Sequence, residues 1–367
     1  MAMDTGKIDK MPWILLGAMA CACLFLAFKF LHLLPEQNGP LIALEVILLG
    51  SAVFSSVHHA EILALKVGEP LGSVVLALAV TVIEVALIIS QMSGGNTGAE
   101  FIGRNTVYSG VMIVLNGVVG LCLLFGGVRH GEQSFRLDSA TAALSVLATL
   151  ACLSLILPNY TLATEGPYYS IAQLGFVGLV SLILYSVFVF FQTILHHDYF
   201  VVADATGESK DHPKPSRRTT LISCLLLPIS LVVVVLVAKA LTGPIDAMIA
   251  AAGLPAGFVG VVIALLVLLP EGMAAVRAAR LNHLQTSLNL ALGSAIATIG
   301  LTIPTLAAYS IWTGAKLALG LGPAATALLI LTIFVSSVTL ATGRTTILQG
   351  AVHLVIFGVF MFISAFP

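Results

Sequence analysis

The sequence predicts an all-α polytopic membrane protein with eleven transmembrane helices, arranged as one amino-terminal helix followed by two inverted five-helix repeats. Three observations carry that reading. Of 367 residues, 59% are hydrophobic and only 9% charged, against about a quarter charged in an ordinary soluble domain. The apolar residues gather into runs near the roughly 20 residues that a helix needs to cross the hydrocarbon core. A single long hydrophilic stretch, residues 196–218, leaves five such runs on either side of it once the first is set apart.

In chain order the runs cover 12–34, 40–62, 70–92, 104–127, 138–158, 170–195, 219–241, 255–277, 284–309, 323–342 and 346–366. In lipid every backbone group must find its partner within the protein, so unbroken apolar runs form helices; a barrel would show weak alternation over about ten residues. The first run follows Lys7 and Lys10, and Ala18-Met19-Ala20 resembles a signal-peptide cleavage site. Its apolar stretch continues to Leu34, which fits an uncleaved anchor behind an amino-terminal tail of residues 1–11.

Loop charge sets the expected orientation. Lys7, Lys10, Lys66, Arg129, Arg136, Lys210, Lys214, Arg217, Arg218, Arg277, Arg280 and Arg344 fall on the amino-terminal side, against Arg104, Lys239 and Lys316 opposite, with Lys29 inside the first helix. The positive-inside rule then puts the amino terminus in the cytoplasm and the carboxyl terminus outside. Residues 196–218 read as a cytoplasmic linker between repeat A, 40–195, and repeat B, 219–366. Because each repeat holds an odd number of helices, the second enters the membrane upside down, the plan of many secondary transporters.

Two acidic residues stand alone in apolar helices: Glu84, after Leu76 to Ile83, and Glu271, after Val261 to Pro270. Each lies in the second helix of its repeat. A charge at that depth costs about 2.5–3.5 kcal/mol on the insertion scale, and intramembrane ionisable groups by default mark function. A protonated carboxyl making one interhelical hydrogen bond is the purely structural alternative. Pro270 lacks an N–H and frees a carbonyl one turn earlier, so a broken helix there would add oxygen ligands, whereas a packed kink would not. Two carboxylates with carbonyl, Ser, Thr and Asn oxygens make a hard site, suited to Ca²⁺ rather than a soft transition metal.

The residues that carry this pattern resemble a known family. Glu69-Pro70-Leu71-Gly72-Ser73 with Val82-Ile83-Glu84-Val85, then Pro270-Glu271-Gly272 with Ala274-Ala275-Val276 and Asn282, then Gly293-Ser294 with Pro304, resemble the two signature regions of the calcium/cation antiporter (CaCA) superfamily. The resemblance is closest to ChaA-type Ca²⁺/H⁺ antiporters of the cation/proton exchanger branch. It extends to Arg104-Asn105-Thr106-Val107-Tyr108-Ser109 and to Gly343-Arg344-Thr345 with Leu348-Gln349-Gly350 and His353, near the end of the chain. It implies that Glu84 and Glu271 bind the exchanged cation and protons, and that helix starts near Ser109 and Gly293-Ser294 supply neighbouring oxygens. The chain departs from the family in one respect: many cation/proton exchangers have an asparagine three residues before each glutamate, where this sequence has Thr81 and Leu268. Thr81 offers an oxygen and Leu268 does not.

The expected activity is therefore exchange of Ca²⁺ for H⁺ by competition at a shared pair of carboxylates, with Na⁺ or K⁺ against H⁺ as the alternative on the same scaffold. Thr81, Ser109, Asn116, Asn289 and Ser294 are candidate secondary ligands, Thr298 lies on the same helix, and His58 and His59 beside Glu61 are candidates for pH sensing. Glu45, near the start of its helix, is expected at the outer interface, Arg344 at a helix end or lipid head group, and His196, His197 and His212 on a solvated linker. The expected partners are membrane lipid and inorganic cations, with no cofactor. A net charge of -1 without a basic block argues against nucleic acid, and there is no glycine-rich loop ending in Gly-Lys-Ser or Gly-Lys-Thr for a nucleotide. An enzyme is disfavoured because no Ser/His, paired-Asp or His-Glu-x-x-His arrangement lies in a helix. A channel is disfavoured because it would need a filter or a symmetric ring. Cys21, Cys23, Cys122, Cys152 and Cys224 all sit in apolar runs and imply neither disulfide nor zinc framework.

Overall fold

The computed structural model describes residues 13–31, 39–68, 71–93, 98–195, 215–255 and 257–367. Glu69, Pro70 and the linker residues His196, His197 and His212 lie outside them. Helices follow the apolar runs closely: α1 Trp13–Phe30, α2 Gly39–Val67, α3 Leu71–Met92, α4 Ala99–His130, α5 Leu137–Asn159, α6 Ile171–Leu195, α7 Arg217–Ala251, α8 Phe258–Arg280, α9 Leu284–Thr313, α10 Pro323–Leu340 and α11 Ile347–Ala365. Ten of them, α2 to α11 with α3 counted from Val74, are long and apolar enough to cross a membrane, and α1 is shorter. The protein is an all-α polytopic membrane protein.

The ends obey local chemistry. Ser170 and Gln173 cap one another at the start of α6, and Thr346 and Gln349 do the same for α11, so Gln349 serves as a capping residue. Asn282 (φ 66°) takes the left-handed turn between α8 and α9, a conformation that asparagine tolerates better than most residues. Its Oδ1 also accepts from Gln133 Nε2 at 2.9 Å. A short ladder escaped the sequence reading: β1, Gln133–Ser134, pairs antiparallel with β2, Arg344–Thr345. Arg344 thus belongs to a ladder strand, and its exposed guanidinium lies 3.5 Å from Glu132.

The structure decides the question left open at Pro270 and corrects the expectation that Ser109 and Ser294 lie near helix starts. α8 runs unbroken through Pro270, and α7 runs for 35 residues over Pro228 and Pro244, because neighbouring helices sustain what a lone peptide would lose. Ser109 and Ser294 lie inside long helices, not at helix starts. The irregularity in α4 comes instead just after Ser109, as a π-helical stretch at Ile113–Val118, a distortion often found at functional sites.

The helices gather into two compact units, one of α1, α2, α3 and α7, the other of α4 to α6 with α8 to α11. Each unit therefore draws helices from both sides of the hydrophilic linker. In the first, α2 packs along α7, and α1 lies against both. In the second, α4 is the central element, in contact with α8, α9 and α11.

Candidate functional site

In the first unit, Glu84 is buried at 4% exposure in a helix with no other charge. Counted from Leu71 it is the fourteenth residue of α3. Thr81, one turn earlier and so on the same face, is also buried. On α2, His59 is buried with Nδ1 3.2 Å from Ser223 Oγ on α7. His58 Nε2 is buried without a hydrogen-bond partner among the described residues. The two rings lie 5.7 Å apart, and Glu61 is exposed.

In the second unit, Glu271 is the fourteenth residue of α8 counted from Phe258, the place that Glu84 holds in α3. Ser294 Oγ donates to Glu271 Oε2 across the α8–α9 contact. Hydrogen bonds to a charged acceptor are shorter and stronger than neutral ones, so this hydroxyl both orients the carboxyl and stabilises its ionised form. Leu268, one turn before Glu271, is buried and supplies no oxygen.

Glycine lets the backbones of α4 and α8 approach one another. A Cβ at Gly260 would meet Asn105 Cβ and the Thr106 nitrogen at 3.1 Å, and one at Gly272 would meet Val118 Cγ2 at 3.1 Å. A Cβ at Gly110, next to buried Ser109, would meet Thr298 Cγ2 at 3.4 Å and Leu268 Cδ1 at 3.8 Å. Small residues at such contacts are how helices associate in lipid, where no hydrophobic force draws them together. Ser109 is buried in α4 beside Gly110. It is the eleventh residue of α4 and Ser294 the eleventh of α9, counted from Ala99 and Leu284.

Asn116 and Asn289, two other candidate ligands, are committed elsewhere. Asn116 is fully buried in the π-helical stretch; its Nδ2 donates to Thr332 Oγ1 at 2.9 Å and its Oδ1 lies 3.2 Å from His353 Nδ1. His353 Nε2 in turn lies 3.2 Å from Thr339 Oγ1, so α4, α10 and α11 share one buried polar chain. Asn289 Oδ1 accepts from Gln285 Nε2 at 2.8 Å, and Gln285 also donates to Ser139 Oγ and accepts from the Arg136 N–H. Sequence reasoning missed the role of His353, because nothing local marks which helix its ring will meet.

Among the described residues no three His, Cys, Asp or Glu side chains cluster to hold a metal ion. Each unit instead offers an isolated mid-helix glutamate with hydroxyl neighbours, a hard oxygen chemistry. Comparison with known proteins fits that chemistry. The sodium/calcium exchanger protein family matches residues 40–194 and 222–366. The chain belongs to this family. An exchanger of this family is a membrane transporter of ions. The chain is 53% identical over 346 residues, 94% of each chain, to y4hA of Sinorhizobium fredii, whose name describes an ionic transporter. It is 36% identical over 314 residues, 85% of each, to the sodium-potassium/proton antiporter ChaA of Escherichia coli. The solved structure of YfkE, named as a Ca²⁺/H⁺ antiporter, shares the fold with a TM-score of 0.74 at 15% identity, covering 96% of this chain and all of that one.

Proposed function

We propose that this exchanger moves Ca²⁺ against H⁺ by competition at Glu84 and Glu271. The observation that carries the reading is a glutamate at the same position, the fourteenth residue, of α3 and of α8. Thr81 on α3, Ser294 on α9 and Ser109 on α4 are the neutral oxygens best situated to assist. Asn116 and Asn289 assist only if their present hydrogen bonds are exchanged.

The physical logic is charge compensation. With Ca²⁺ bound, two carboxylates are ionised and neutralised by the metal; with protons bound, both are neutral. An uncompensated carboxylate in a low-dielectric interior is strongly penalised. Reorientation across the membrane is therefore cheap only for the loaded forms, and ion gradients supply the driving force. The amino terminus lies on the cytoplasmic side, the orientation that the positive-inside rule favours, and the bacterial source of the relatives points to a bacterial inner membrane.

A second reading, Na⁺ or K⁺ against H⁺, draws support from the name of the 36% identical relative, a sodium-potassium/proton antiporter, and from Leu268 where an oxygen ligand would favour a divalent ion. Everted membrane vesicles with a pH-sensitive dye separate the two when Ca²⁺, Na⁺ and K⁺ are added in turn. Proton efflux on Ca²⁺ addition is expected. A response to monovalent ions alone selects the second reading, and cation-dependent proton movement persisting in both Glu84→Gln and Glu271→Gln rejects the site.

A further inference from the structure

A different carboxylate, Glu45, is used by neither reading. The sequence placed it at the outer interface, but the structure buries it completely in the first unit, against Lys29 of α1. Lys29 Nζ donates to Glu45 Oε1 at 2.5 Å and to the Ala240 carbonyl of α7 at 3.3 Å. The other carboxylate oxygen, Glu45 Oε2, is buried with no hydrogen-bond partner among the described residues.

The Ala240 carbonyl is available for a reason written into the sequence. Four residues on in α7 stands Pro244, which has no N–H to return to it, so that carbonyl loses its helical partner. One carboxylate and one freed carbonyl thus converge on a compact ammonium head, a strongly hydrated point charge. A single negative charge with neutral hard oxygens is the donor set for a monovalent cation; a divalent ion would keep an unbalanced charge in a buried place.

We propose that Glu45 and the Ala240 carbonyl form a monovalent-cation site whose occupant in this protein is the ammonium of Lys29, a tethered ion carried by α1. Removing the tether opens the site to a free alkali or ammonium ion. A bare Glu45 destabilises the fold, and a cation that binds the folded state alone restores stability in proportion to its occupancy.

The test is thermal unfolding of purified full-length protein on a Glu84→Gln/Glu271→Gln background, so that the transport carboxylates add nothing. Melting is compared in choline chloride and in KCl, NaCl and NH₄Cl at constant ionic strength. In choline, Lys29→Ala melts below its parent. One or more of the other salts raises its midpoint by several degrees with saturable dependence, while the parent is indifferent and Lys29→Ala/Glu45→Gln loses the response. Equal midpoints of Lys29→Ala in all four salts overturn the proposal. So does a Lys29→Ala protein recoverable in no salt while the double variant folds. A second measurement needs no cavity: Lys29 in the unaltered chain is expected to be acylated several-fold more slowly than in Glu45→Gln, followed by peptide mass spectrometry. Equal rates remove the pairing on which the site rests.

Discussion

Glu45 and Glu271 are both acidic residues in apolar helices, yet the protein treats them in opposite ways. Glu45 is fully covered and faces a lysine and a freed carbonyl. Glu271 is half-buried and receives a hydroxyl from Ser294. A lysine brings a full compensating charge and holds it permanently; a serine orients the carboxyl without bringing a compensating charge. The contrast separates a buried acid whose counter-ion the protein supplies from one that, in the proposed mechanism, takes a cation or a proton in turn. What matters is whether the protein supplies its own counter-ion.

That comparison breaks first at the carboxylates themselves. Glu271→Gln is expected to reduce cation-driven proton movement in everted vesicles to that of vesicles lacking the protein, whereas Glu45→Gln retains exchange. Equal losses in both would erase the distinction. Next, Ser294→Lys should convert the exchangeable acid into a compensated one: the introduced ammonium occupies Glu271, and exchange stops while the protein still folds and migrates as a monodisperse species. Retained exchange would mean that the carboxyl can take a cation beside a tethered one.

A gentler change sharpens the role of the hydroxyl. Ser294→Ala removes a hydrogen bond to a charged group, worth about 1.5–3 kcal/mol, so the cation concentration for half-maximal dye response should rise by about tenfold or more, with Ser294→Thr restoring most of it. Asn116→Ala should behave differently. It takes the partner from His353 Nδ1 and the amide donor from Thr332 in the buried chain, at a cost of about 1–3 kcal/mol in unfolding free energy, while the half-maximal concentration stays put; a selective loss of cation affinity would return Asn116 to the ligand set. The smallest effect belongs to Arg344→Gln. Its pair with Glu132 is exposed on both sides, and such pairs contribute about 0–1 kcal/mol, so neither melting nor exchange should move appreciably.

The helices were legible because lipid imposes a length and a composition on any segment that crosses it. Leu284 and Pro323 begin their helices where the apolar runs begin. Glu84 and Glu271 were legible for the same reason, as charges where charge is costly. Ser294 was named in advance, and its bond to Glu271 follows from the packing of α9 on α8. Other side chains did not declare their partners. Asn116 reads as a pathway residue until α10 and α11 bring Thr332 and His353 to its amide, and Glu45 reads as interfacial until Lys29 meets it.

The sequence alone determined that this chain is a bundle of membrane helices with an acid amid apolar residues in α3 and another in α8, since both facts depend on local hydrophobicity. Only the tertiary structure decided that α7 joins α1, α2 and α3 while α8 joins the other unit, that Gly260 and Gly110 let α4 lie close to α8 and α9, and that Lys29 spends its charge on Glu45. Those outcomes depend on which surfaces of distant segments fit together, and a pairing of that kind has no local trace when nearly every candidate surface is built from the same few apolar residues.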